Sequence, residues 1–121
     1  MKNQNETPLS AEVLRIDAEA EAEKICSGIR EALSKSLKRR GLVVGLSGGI
    51  DSSVTLALAA RAVNPDKVLA LLMPEKDSAE ETLELSSMAA SHFGVATVHE
   101  DITEILTAVG FYRRYQEAVK R

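Results

Sequence analysis

The run Leu42-Val43-Val44-Gly45-Leu46 passes directly into Ser47-Gly48-Gly49-Ile50-Asp51-Ser52-Ser53 and then into a stretch that reads as helical from about Ser52 to Val63. A short apolar run without alternation is the mark of a parallel strand buried on both faces. Two glycines after it let the backbone turn sharply and approach a ligand closely. The amides of such a turn, with those that open the next helix, form a cradle for an anion. Ser47, Ser52 and Ser53 add hydroxyl donors for phosphate oxygens. Asp51 conflicts with a phosphate unless a cation lies between them, and magnesium accepts both carboxylate and phosphate oxygens. The segment is neither of the two commoner phosphate loops. The sequence holds no Gly-x-x-x-x-Gly-Lys-(Ser/Thr) and no Gly-x-Gly-x-x-Gly.

The flanking sequence repeats this strand-then-helix pattern. Residues 1–9 read as a disordered polar tail. A leader helix is expected over 10–40, opened by Pro8 or Ser10, with Leu14, Ala18, Ala22, Ile25, Ile29 and Leu33 as its apolar stripe. Lys38, Arg39 and Arg40 suit its last turn, and Gly41 its stop. Val68–Met73 reads as a second strand and Val95–Val98 as a third. Between them, Ser78 and Glu81 form a capping-box pair that opens a helix ending near Phe93, with Gly94 as its stop. Asp101 and Glu104 suit the start of a short helix stopped by Gly110, and Phe111 to Arg121 reads as a last helix. Alternation with short loops implies an α/β fold: a parallel sheet with helices on both faces and right-handed crossovers, Rossmann-like. The strands should stack outward from the first in the order 3-2-1, leaving the glycine-rich turn at the switch point where open α/β sheets bind ligands.

The size of the chain, 121 residues, suits one small domain. A net charge of -3 argues against broad nucleic-acid or membrane binding. The N-terminus has no apolar signal-peptide core, and no apolar run approaches the roughly 20 residues that span a bilayer. With Cys26 as the single cysteine, no intrachain disulfide can form. A cytoplasmic protein is expected.

Gly45-Leu46-Ser47-Gly48-Gly49-Ile50-Asp51-Ser52-Ser53 resembles the pyrophosphate loop of the N-type ATP pyrophosphatases, whose members include NAD synthase, GMP synthetase, asparagine synthetase and tRNA-thiolation enzymes. Val68-Leu69-Ala70-Leu71-Leu72-Met73-Pro74-Glu75-Lys76-Asp77-Ser78 and His99-Glu100-Asp101-Ile102-Thr103 are similar to the NAD synthase branch. That resemblance implies a fold of the adenine nucleotide alpha hydrolase type and a carbon–nitrogen ligase. ATP adenylates the carboxylate of deamido-NAD, pyrophosphate leaves, and ammonia, free or supplied by a glutaminase, displaces AMP. It further implies that residues 45–53 bind ATP, that Asp51 holds magnesium, that Met73 meets adenine through its backbone, and that the full-length protein is a homodimer. Family members run to about twice this chain. The resemblance therefore makes 41–121 the ATP-binding half of a larger domain, truncated after the third strand and inactive alone. The alternatives are another loop enzyme of the tRNA-thiolation or GMP-synthetase type and a non-catalytic nucleotide-binding remnant. A lone cysteine disfavours thiolation.

Other residues carry weaker signals. Cys26 sits mid-helix and reads as a buried, inert thiol rather than a glutaminase nucleophile. His92 reads as a solvated helix-end residue, while His99 ends a strand near the ligand edge. Lys76 follows the second strand, where a solvated lysine is the bland reading and a nucleotide contact the functional one. Arg113, Arg114, Lys120 and Arg121 form a basic cluster, read as a solvated helix face or as a phosphate or subunit contact.

Overall fold

Right-handed crossovers that all step in the same direction keep their helices on one side of a sheet, and that rule shapes this molecule. A computed structural model describes residues 10–78 and 80–120; the tail expected at residues 1–9 lies outside them. The elements are α1 (Ala18–Glu31), prolonged by a π-helical turn (Ala32–Leu37), β1 (Leu42–Gly45), α2 (Ile50–Val63), β2 (Val68–Leu72), α3 (Glu80–His92), β3 (Ala96–His99), α4 (Thr103–Ala108) and α5 (Phe111–Val119). All strands are parallel, in the order β1-β2-β3, with Val44 beside Ala70 and Ala70 beside Thr97. This is the expected stacking in a Rossmann-like α/β unit. The helices α2 and α3 occupy one face. The opposite face presents Val43 and Val98 at 64% and 41% exposure, so the expectation of helices on both faces is met on one face among the described residues.

The core lies between the covered face and those helices. Val44, Leu46, Val68, Ala70 and Leu72 meet Leu56, Ala59 and Ala60 of α2 and Ala90 of α3. Leu56 is wholly buried, worth about 1.5–3 kcal/mol relative to an exposed leucine. The alanines of α2 let that helix lie close to the sheet.

The leader segment departs from its expected form at both ends. Ala11–Leu14 makes a separate 3-10 turn, and the helix begins at Ala18 because the Asp17 carboxylate accepts from the Ala20 amide as an N-cap. At the other end Lys38, in the left-handed region at φ 50°, terminates the π-turn. Gly41 is needed for a different reason than a helix stop: a Cβ there would lie 2.6 Å from the Lys67 carbonyl oxygen. The expected stripe is kept in part, with Leu33 buried and Ala22 and Ile29 half-buried. The buried face centres on Cys26 and Leu33, whereas Leu14 and Ile25 are exposed. The Cys26 thiol, fully buried, donates to the Leu58 carbonyl at 3.5 Å, the structural role expected of it. Arg61 of α2 bonds the Glu19 carboxylate, tying α1 to α2. That hydrogen bond, with the adjacent positive charge, holds the Glu19 carboxyl below its ordinary range.

Further along, Gly94 and Gly110 take left-handed conformations after α3 and α4, as their stop positions require. The Ser78 hydroxyl accepts from the Glu75 amide, closing the turn before α3. No described helix is long and apolar enough to cross a membrane.

Among the described residues β1 pairs only with β2, so its outer edge offers free amides and carbonyls. Such an edge templates association. The isolated 121-residue chain is expected to self-associate with rising concentration in size-exclusion chromatography with light scattering, and Val43→Lys to reduce that association. A clean monomer at every concentration, with a cooperative melt above about 60 °C, would contradict this.

Candidate functional site at the end of the first strand

Leu46 still bonds β2 through its amide, to the Leu71 carbonyl at 2.9 Å; beyond it the chain leaves the sheet. Gly48 then turns at φ 76°, with so little space that a Cβ would lie 2.6 Å from the Thr82 carbonyl oxygen and 3.2 Å from the Ser86 hydroxyl. This glycine is required by the left-handed turn and by contact with α3, not by a ligand alone. Gly49 differs: its added Cβ would meet only the Ser47 hydroxyl, at an ordinary 3.5 Å. It is the N-cap of α2, which starts at Ile50, two residues earlier than its sequence suggests. Asp51, Ser52 and Ser53 therefore occupy the first turn of the helix.

The serines hold the turn together. The Ser52 hydroxyl accepts from the Ser47 amide at 3.2 Å and lies 3.1 Å from both the Ser47 hydroxyl and the Gly49 carbonyl. The Ser53 hydroxyl donates to the same Gly49 carbonyl at 2.9 Å. The hydroxyls expected to point at phosphate thus organise the loop in this state. What remains free is the backbone. The amides of Gly48, Gly49, Ile50, Asp51 and Ser52 find no acceptor among the described residues. These include the orphan amides that every helix start leaves. They gather where the helix dipole is positive, which favours an anion.

Beside the loop runs a cleft of about 220 Å³, with Leu46 and Ser47 after β1 on one side, Met73, Pro74 and Glu75 after β2, and Thr82 and Ser86 of α3. Met73, singled out in the sequence, lines it with Leu46 and Ser47, whereas Gly48 and Ser53 line a separate cleft and Gly49, Ile50, Asp51 and Ser52 line neither. Ser86, almost fully buried, donates to the Thr82 carbonyl at 2.8 Å and lies 3.4 Å from the Leu46 carbonyl, steadying the junction of strand and loop. His99 pairs with Leu72 in the sheet and is not among the residues lining the cleft. His92 is exposed and shares a second, shallow cleft with Gly48 and Ser53.

Two residues of this region carry roles that the sequence did not announce. Tyr112 of α5, 9% exposed, donates its hydroxyl to Glu75 at 2.6 Å. Lys76 is exposed, as the solvated reading expects, and its ammonium lies over the Tyr112 ring, 3.8 Å from the centroid. Burial first, and then the bond to Glu75, raises the phenol above its ordinary range and keeps it a donor. Of the basic cluster, Arg114 donates to the Val109 carbonyl at 2.6 Å and closes the end of α4.

Asp51 is exposed, and among the described residues it makes no salt bridge. No group of three or more potential metal ligands occurs there either. One carboxylate still suits magnesium, which is usually held by one or two carboxylates together with substrate phosphates.

The sequence model of the NAD synthase family matches residues 21–120, most of the chain and all of this site. The chain belongs to the NAD synthase family. It is 53% identical over 112 residues to the NH(3)-dependent NAD(+) synthetase of Rhizobium meliloti (strain 1021), covering 93% of this chain and 33% of that protein. Among solved structures, the NH3-dependent NAD synthetase of Campylobacter jejuni, in complex with the nitrate ion, superposes with a TM-score of 0.71 at 34% identity, over 82% of this chain and 42% of that one. The glutamine-dependent NAD+ synthetase of Acinetobacter baumannii, in complex with ADP, gives 0.71 at 28% identity over 86% and 19%. The chain thus spans about a third of the length of the curated relatives it matches, a smaller share than the half expected from the sequence. The match favours the NAD synthase branch over the thiolation and GMP-synthetase alternatives.

The geometry separates the two loop glycines. Gly48→Ala should destabilise the fold by about 2 kcal/mol or more, from left-handed strain together with the clash against α3. Gly49→Ala should leave stability within about 0.5 kcal/mol. Chemical denaturation of both variants measures this, and equal losses would contradict the assignment.

Proposed function

We propose that this chain is the ATP-binding portion of an NAD synthase, a ligase that amidates deamido-NAD. The observation that carries the reading is the group of amides at Gly48–Ser52 left without acceptors at the start of α2. In the reaction, the deamido-NAD carboxylate attacks the α-phosphorus of ATP. The bond to pyrophosphate breaks, and ammonia then replaces AMP on the acyl carbon. Negative charge grows on the leaving pyrophosphate, and donors already aimed at that position stabilise it without reorganising.

Residues Gly45, Leu46, Ser47, Gly48, Gly49, Ile50, Asp51, Ser52 and Ser53 form the ATP-phosphate site in this proposal. Leu46 ends the strand, Ser47 and Ser52 fix the turn, and Gly49 leaves the amides open. Met73, in the wall of the cleft, meets adenine through its backbone. Asp51 holds magnesium together with the phosphates, and the metal supplies charge neutralisation. Ammonia as the nitrogen donor is supported by the names of the relatives. A homodimer and a cytoplasmic location complete the proposal, with 10–40 as a leader and 41–121 as the nucleotide-binding unit.

Asp51→Asn is expected to weaken ATP binding tenfold or more with magnesium present, about 1.4 kcal/mol, and to change it little in excess chelator. Isothermal titration under both conditions measures this. An equal loss with and without metal would show that Asp51 does not act through magnesium.

A further inference from the structure

The cleft beside the phosphate loop contains a carboxylate that the proposed phosphate chemistry does not use. Glu75 is half-buried in the cleft wall. One of its oxygens, Oε2, is taken by the Tyr112 hydroxyl at 2.6 Å. Tyr112 is itself fixed, buried on α5 beneath the Lys76 ammonium at 3.8 Å. Glu75 is also held through its backbone, since its amide donates to the Ser78 hydroxyl at 3.0 Å and its carbonyl accepts from the Ser78 amide at 2.9 Å. The result is an anchored acceptor in the cleft wall.

An ionised carboxylate can only accept hydrogen bonds. The phosphates of ATP are anionic acceptors, so Glu75 repels that end of the nucleotide. The groups of ATP that can donate are the two ribose hydroxyls and the exocyclic amine of adenine. We infer that Glu75 selects the nucleoside end of the nucleotide, accepting from a ribose hydroxyl or from the base amine with the oxygen that Tyr112 leaves free, and that Tyr112 is its positioning residue. The inference rests on the reading that this cleft takes ATP. It adds a polarity: the phosphates lie toward the Ser47–Ser53 amides and the neutral donors toward Glu75. Because the tie to Glu75 comes from α5, the last described helix sets the selectivity of a site built on β1 and β2.

Isothermal titration with ATP, with the two deoxyribose analogues that each lack one hydroxyl, and with inosine triphosphate tests this on the wild-type chain and on Glu75→Gln and Tyr112→Phe. The wild type should bind at least one analogue about tenfold more weakly than ATP, the loss of one hydrogen bond to a charged group. In Glu75→Gln that ratio should fall close to one while pyrophosphate affinity holds. In Tyr112→Phe it should fall part-way, alongside whatever drop in thermal midpoint the lost hydrogen bond causes. A purely structural tyrosine would lower the midpoint and leave the ratio alone. Equal wild-type affinities for ATP and all three analogues, or a ratio unmoved by Glu75→Gln, would overturn the inference. Failure of the wild type to bind ATP at all would overturn the reading of the cleft itself.

Discussion

Everything at the ligand end of this molecule depends on the backbone of Gly48 lying against α3. With φ at 76° and a Cβ position only 2.6 Å from the Thr82 carbonyl oxygen, the chain has no room for a side chain and little for a different turn. That contact joins three elements. It sets where β1 ends, it starts α2 at Ile50 rather than near Ser52, with Gly49 as the cap, and it places the loop against the helix that walls the cleft. The five amides without acceptors follow from it, because a chain turned this way gives Gly48–Ser52 no carbonyl to bond. Such groups cost free energy if buried dry. Here they lie at an open edge, where water or an anion satisfies them.

Much of the fold was legible because its signals are local. Leu42–Leu46, Val68–Met73 and Val95–Val98 are short apolar runs, and each became a strand of the parallel sheet within one or two residues. Gly94 and Gly110 marked helix ends because a left-handed residue is cheapest as glycine. The leader was harder to read. Its stripe included Leu14 and Ile25, apolar residues that end up exposed, and left out Cys26, which was read separately as a buried thiol. Periodicity reports a face but not which neighbour it meets, and here the neighbour is α2, reached through the Leu58 carbonyl and Arg61. The π-turn at Ala32–Leu37 and the left-handed Lys38 have no sequence signature; Gly41 drew attention as a stop, while its actual constraint is a tertiary contact with Lys67.

The site divides in the same way. The loop, Asp51 and Met73 were visible as a motif, and the structure brings Leu46 and Ser47 of that loop to one cleft with Met73, while Asp51 lies outside it. The roles of the serines were not visible. A hydroxyl beside a phosphate site reads as a phosphate donor, yet Ser52 and Ser53 spend their hydrogen bonds on Gly49 and Ser47. Tyr112 and Glu75 are 37 residues apart, and nothing in either local sequence announces the pair. Long-range polar contacts of this kind are set by topology. Here α4 and α5 return past the end of β2, through the bond of the Ile102 amide to the Pro74 carbonyl, and bring the tyrosine to the loop.

In the proposed function the free amides at the start of α2 are the anion site. Amide resonances of the isotope-labelled chain, titrated with pyrophosphate, test that claim residue by residue. Saturable shifts concentrated at Gly48, Gly49, Ile50, Asp51 and Ser52 are expected, with the core strands unmoved. Saturable shifts centred elsewhere, or none at this loop up to millimolar pyrophosphate, would contradict it.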